Sequence, residues 1–194
     1  MTDERRLLLA MHRGHEPSAE RLWALLAPRL LAYAAAVLPR DQRHAAEDVV
    51  QRVFCTVLDR PRRELKKIED VTAWLFRVTR NTAHNHARTE FRERERRSEH
   101  NRRGGASTDA QENTRERHGA HDHTDRLHAA TAALPDDQRD ALLLRLVGGL
   151  TLEQAAAALG VNRNTLASRH RAAVHALRAA LEQTTPTGLE AEHA

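Results

Sequence analysis

Apolar residues recur along this chain at steps of three and four, the spacing of amphipathic helices. Residues 3 to 95 read as helices separated by short breaks. Pro17-Ser18 opens one helix, Pro28 fits the first turn of the next, and LPRDQ at 38–42 separates that helix from a third. In the third, DQRHAAEDVVQRVFCTVLDR, residues Val49, Val50, Val53, Phe54, Val57 and Leu58 fall at helical spacing and are expected inside. Pro61 then opens a charged segment, PRRELKKIED. A fourth helix, VTAWLFRVTRNTAHNHARTEFRERERR, turns Val71, Trp74, Leu75, Val78 and Ala83 inward.

The pattern stops at residues 96–125, where Leu, Ile, Val and aromatic residues are absent. Nothing there can bury enough surface to offset chain entropy, so a flexible linker is expected. Helical spacing resumes at Leu127, with breaks at 134–137, 148–151 and 160–162. The tail from residue 184, with Pro186 and Gly188, is expected to fray. The expected organisation is a helical domain over 1–95, a linker over 96–125, a second helical domain over 126–183 and a tail over 184–194.

Composition agrees with an all-α fold of two small domains joined by a flexible linker. Alanine and leucine are plentiful, aromatics make up only 3% of the 194 residues, and no run alternates β-branched and aromatic residues as a strand would. Net charge is +4, and Lys66 and Lys67 are the only lysines among 31 basic residues. Arginine's planar fork of donors suits phosphate, so nucleic acid is a candidate partner, although charge alone decides nothing. The single cysteine, Cys55, excludes an internal disulfide and is expected to be a buried core thiol. No run approaches the roughly 18 apolar residues of a membrane span, and the N-terminus lacks a signal-peptide pattern; a cytoplasmic protein is expected.

The sharpest local signal is LTLEQAAAALGVNRNTLASRHRAAVHALRAAL, residues 150–181. Gly148-Gly149 can end the preceding helix, and Thr151 with Gln154 three residues on fits a capping box. The next helix stops at Leu159-Gly160, and another starts after GVN. Two helices joined by so short a glycine-bearing turn make a helix-turn-helix. Ala156 is small enough for the crossing, and Leu152, Leu159, Val161 and Leu166 fill the space between. The second helix of such a motif enters the major groove with its N-terminal residues at the base edges. Here those are Arg163, Asn164, Thr165, Ala167, Ser168, Arg169 and Arg171. Arginine and asparagine can read purine edges, while serine and arginine can hold phosphate.

Beyond this motif a family resemblance emerges. LPDDQRDALLLRLVGGLTLEQAAAALGVNRNTLASRHRAAVHALR resembles region 4 of bacterial RNA polymerase sigma factors, especially the extracytoplasmic-function group. APRLLAYAAAVLPRDQRHAAEDVVQRVF and VTAWLFRVTRNTAHNHAR are similar to region 2 of the same group. The resemblance implies a factor that directs core RNA polymerase to promoter DNA and helps melt the −10 element, without catalysing a reaction itself. It implies core docking through a D-x-x-Q-x-x-F helix, here Asp48, Gln51 and Phe54 with Glu47 and Arg52 alongside; Arg52 stands where the family usually carries an acid. It implies −10 contacts from Arg62, Arg63, Lys66 and Lys67 in the basic segment, and from Arg77, Arg80, Asn81 and Arg88 on the helix that follows. The residues Arg163 to Arg171 named above would read the −35 element, with Ala167 where a lysine is common and His170 where an apolar residue is common. The family is usually restrained by an anti-sigma protein.

Two other readings start from the residues. A sigma-like regulator could bind duplex DNA without core polymerase, but would have no need of the docking and −10 segments. His118, His121, His123 and His128 could hold zinc, copper or nickel; their irregular spacing in a glycine- and charge-rich stretch, with no cysteine, favours a solvated segment and no metal. No phosphate-cradling glycine loop, H-E-x-x-H or recognisable nucleophile is found, so neither cofactor nor small-molecule substrate is expected.

Overall fold

The computed structural model describes residues 2–103 and 120–182, and the side chains within 2–100 and 126–182. Among these the regular structure is entirely helical: α1 (Asp3–Met11), α2 (Glu16–Val37), a 3₁₀ turn (Arg40–Ala45), α3 (Ala46–Asp59), α4 (Arg62–Leu65), α5 (Val71–Arg103), α6 (Ala120–Ala132), α7 (Asp136–Leu146), α8 (Leu152–Leu159) and α9 (Arg163–Glu182).

Helix α2 does not break at Pro28 as the sequence suggested; it runs through. Leu22, Leu26, Leu30 and Tyr33 form one buried stripe on it, and that burial outweighs the lost backbone hydrogen bond. Pro28 and Ala24 both lie on the exposed side, where the unpaired Ala24 carbonyl meets solvent. Helix α3 buries Val49, Val50, Val53, Phe54 and Val57 as expected, but two expectations fail. Leu58 is 54% exposed, and Cys55 is exposed rather than buried. Cys55 stands two residues from Val53, about 200° around the helix, which turns it away from the core.

The linker also differs in extent from the expectation: α5 continues to Arg103 and α6 begins at Ala120, while 104–119 and the tail lie outside the described residues. The far end of α5 needs no buried face. Its arginines and glutamates are good helix formers and pair along the surface, as Arg97 does with Glu93 at 3.5 Å.

The apolar side chains of both halves meet in one core, from Leu8 on α1 to Leu166 on α9. A smaller cluster of Leu134, Leu142 and Ala173 joins α7 to α9. Between the halves, α5 lies against α8 and α2 against α7. Phe76 of α5 packs beneath Gly148, where a side-chain carbon would come within 2.8 Å of the ring. Arg29 of α2 donates to the Gly148 carbonyl through Nε and Nη2 at 2.9 and 2.6 Å, and lies 5.5 Å from the centre of the Phe76 ring.

Candidate polymerase and nucleic-acid interfaces

Local chemistry sets the turn between α8 and α9. Thr151 accepts from the Gln154 N–H while the Gln154 side chain accepts from the Thr151 N–H, closing a capping box with both contacts at 3.1 Å. Gly160 ends α8 with φ +68°, a conformation that disfavours any side chain. The Asn162 side chain then accepts from the Thr165 N–H at 2.7 Å and starts α9. Leu166 is fully buried and Ala156 nearly so, which fixes the crossing of the two helices. Leu152, Leu159 and Val161 pack partly buried around them, as expected.

This register leaves Arg163, Asn164, Ser168 and Arg171 exposed on the first turns of α9, with Thr165, Ala167 and Arg169 half-buried. Arg163 Nε lies 2.6 Å from Glu153 Oε1, and Arg169 Nε lies 3.0 Å from Asp137. A backbone hydrogen bond at Glu153, and then the Arg163 side chain, hold the Glu153 carboxyl below its ordinary range. His170 is half-buried, with Nε2 enclosed and unpartnered; burial first, and then the charge of Arg145, lower the imidazole's pKa.

A second surface surrounds α4 and the start of α5. Arg62, Arg63, Lys66 and Lys67 are exposed, and buried Leu65 anchors the short helix that carries them. On α5, Arg77, Asn81 and Arg88 are exposed along one stripe. An open cleft of about 400 Å³ lies beside them, bordered by Arg60, Lys67 and Arg77, by the acids Glu64, Glu69 and Asp70, and by Trp74, and reached from the other half by Ala157 of α8. Trp74 is core, 8% exposed, with its ring beneath Arg60. Arg80 has a different setting. Its guanidinium donates to Asp140 of α7 at 2.5 Å, and His84 Nε2 lies 3.5 Å from the other carboxylate oxygen. Burial raises the Asp140 carboxyl, yet the hydrogen bonds and charges of His84 and Arg80 outweigh it and leave the group below its usual range.

A third surface is the outer face of α3, where Glu47, Asp48, Gln51 and Arg52 are all exposed. Gln51, Cys55 and Leu58 continue one stripe, and Leu58 borders an apolar hollow of about 570 Å³ together with Met11, Ala19, Trp23 and Phe54. Trp23, 41% exposed, tilts against Phe54 with ring centres 4.7 Å apart. Trp23, Arg29 and Asp140 are the residues that the sequence analysis missed. Asp140 carried a signal, being an acid that directly precedes the apolar run Ala141–Leu144, all of it buried in α7.

Of the four histidines considered for metal, the side chains of His118, His121 and His123 lie outside those described. His128 Nδ1 sits 3.0 Å from the Arg43 guanidinium, a cationic neighbour that disfavours a bound cation.

Two family models match in order along the chain: sigma-70 region 2 over residues 22–93 and sigma-70 region 4 over residues 124–177. Among solved structures, the chain is similar to CnrH in complex with the cytosolic domain of CnrY, with 21% identity and a TM-score of 0.66, covering 94% of this chain and 100% of that one. It is also similar to the sigma factor RpoE, solved with the anti-sigma factor NepR from Bartonella quintana, with 25% identity and a TM-score of 0.57, covering 84% of this chain and 96% of that one. No curated protein matches the sequence. The two matched regions, in order over most of the chain, and the helix-turn-helix within the second together show that the chain belongs to the sigma-70 family, as a sigma factor of the extracytoplasmic-function type acting in transcription initiation.

Proposed function

We propose that the two halves divide the work of initiation among the three surfaces. The outer face of α3 docks on core polymerase through Glu47, Asp48, Gln51 and Arg52, and the apolar hollow at Trp23 and Leu58 extends that face. A large aromatic at the edge of a charged patch is the composition of a binding hot spot. The segment 60–88 grips the −10 strand. Arg62, Arg63, Lys66, Lys67, Arg80 and Arg88 hold the backbone, and the cleft beside Arg77 and Asn81 receives an extruded base. Unpairing that base costs a few kcal/mol, which contacts inside the cleft must offset. The first turns of α9 read the −35 duplex, with Arg163 and Asn164 at base edges and Ser168, Arg169 and Arg171 on phosphate. Thr165 and Ala167 line the same approach.

The observation that carries this reading is the register of α9, which buries Leu166 and exposes Arg163, Asn164, Ser168 and Arg171 on one side of the helix; Arg163 would exchange its ion pair with Glu153 for DNA. Bond formation is left to the polymerase. The chain is expected to work in the cytoplasm, where polymerase and promoter lie; no helix among the described residues is long and apolar enough to cross a membrane. Both structural relatives were solved with protein partners, one of them an anti-sigma factor, and we infer a restraining partner of that kind here.

Two substitutions test the division. Asp48→Lys is expected to abolish co-purification with core polymerase while leaving −35 duplex binding intact. Arg77→Ala is expected to slow open-complex formation with core binding unchanged. Loss of core binding in Arg77→Ala, or its retention in Asp48→Lys, would contradict the assignment.

A further inference from the structure

The two halves touch, whereas their targets do not. Promoter elements centred near −35 and −10 are about 25 base pairs apart, or about 85 Å of duplex at 3.4 Å per step. In this structure Asp140 of the second half lies 2.5 Å from Arg80 of the first, and α8 lies along α5. The arrangement therefore cannot span both elements, and the contact must break before the chain works.

What holds the contact is specific. Asp140 is 2% exposed, and its carboxylate is shared by Arg80 and His84 of α5. Arg29 grips the Gly148 carbonyl from the other side, and Phe76 packs beneath the same glycine. These groups come from sites 60 and 119 residues apart, so none is needed for a local turn. Arg80 is also one of the residues assigned to the −10 strand. A carboxylate meets the guanidinium fork much as a phosphate does. Ala157 of α8 meanwhile stands at the mouth of the cleft beside Arg77.

We propose that the chain closes on itself without a partner: the Arg80–Asp140 pair and the Arg29–Gly148 clamp hold the second half over the −10 surface, and Asp140 competes with the DNA strand for Arg80. This rests on the assignment of Arg80 and the neighbouring cleft to the −10 strand. Closure hides part of that surface, and DNA captures the chain only from its open fraction. The apparent affinity for a −10 strand then falls in proportion to that fraction.

Spin labels at the exposed Cys55 and at His175→Cys, one in each half, report the distance between the halves in the full chain. The unmodified latch should give one narrow, short distance distribution. Asp140→Ala and, independently, Arg29→Ala should each add a longer, broad component. Arg29→Ala leaves the Arg80–Asp140 pair untouched and guards against misfolding around an altered α7. Both variants should bind at least about tenfold more tightly than the parent to a single-stranded oligonucleotide taken from the −10 region of a promoter that the chain transcribes with core polymerase. A distribution unchanged in both variants would overturn closure by these groups. Opening without tighter binding would overturn masking. If Arg80→Ala costs no affinity within the Asp140→Ala background, masking fails through the assignment of Arg80, while the distance measurement still judges closure.

Discussion

Asp140 is where two effects of burial oppose each other. Desolvation favours its neutral form, while Arg80 and His84 on α5 stabilise the charge, and Tyr33 of α2 lies near enough that Asp140 helps raise the phenol's pKa after burial itself. The net depression means the folded chain holds its proton less tightly than the unfolded chain does. The stabilisation is therefore complete above the unfolded carboxylate value of about 3.9 and lost as pH falls through the lower folded value. Asp140→Asn should cost about 3 kcal/mol at neutral pH, the low end for breaking a buried pair because Arg80 is partly solvated. Urea titrations should show this gap shrinking as pH falls below about 4, where the carboxylate is protonated; a gap unchanged down to about pH 2 would contradict the assignment. On the other surface, Arg163→Ala should weaken −35 duplex binding by about 1–3 kcal/mol, measured by fluorescence anisotropy, if Arg163 reads a base edge. Unchanged affinity would place it away from the DNA. The exposed α9 residues were legible from the sequence because a helix-turn-helix fixes its own register. Cys55 was not, because residue type favours burial while the phase of α3 turns it outward.

At the scale of elements, signals carried within a few residues were the legible ones. The capping box at Thr151, the glycine at 160 and the Leu166 anchor all stand where the chain pattern placed them. Gly160 has open space around a missing side chain, so Gly160→Ala tests backbone strain alone. It should cost about 1–2 kcal/mol, and Thr151→Ala about 1 kcal/mol through the lost cap. Each kcal/mol corresponds to a fall in Tm of about 2–4 °C for a chain of this size, readable by circular dichroism. A neutral Gly160→Ala would contradict the left-handed turn. Elements decided by distant packing were harder to read. Pro28 reads locally as a break, but the buried stripe of Leu22, Leu26, Leu30 and Tyr33 carries α2 past it. The end of α5 reads as linker by its lack of apolar residues, yet propensity and surface ion pairs extend it to Arg103.

For the whole molecule, the order of the two regions was legible and their embrace was not. Arg29, Phe76, Arg80, Asp140 and Gly148 are dispersed through the sequence, and only the acid directly before an apolar run hinted at a partner elsewhere. Closure gives a sigma factor two states, one compact and one able to reach along a promoter. Any partner that bridges the halves favours the first, and polymerase with DNA favours the second. The most direct test of the account is transcription from pooled promoter-bearing fragments by purified core polymerase, with and without the chain, followed by sequencing of the RNA 5′ ends. The account predicts defined start sites that appear only when the chain is present, each with shared sequence near −35 and −10. Identical 5′ ends with and without the chain would contradict it.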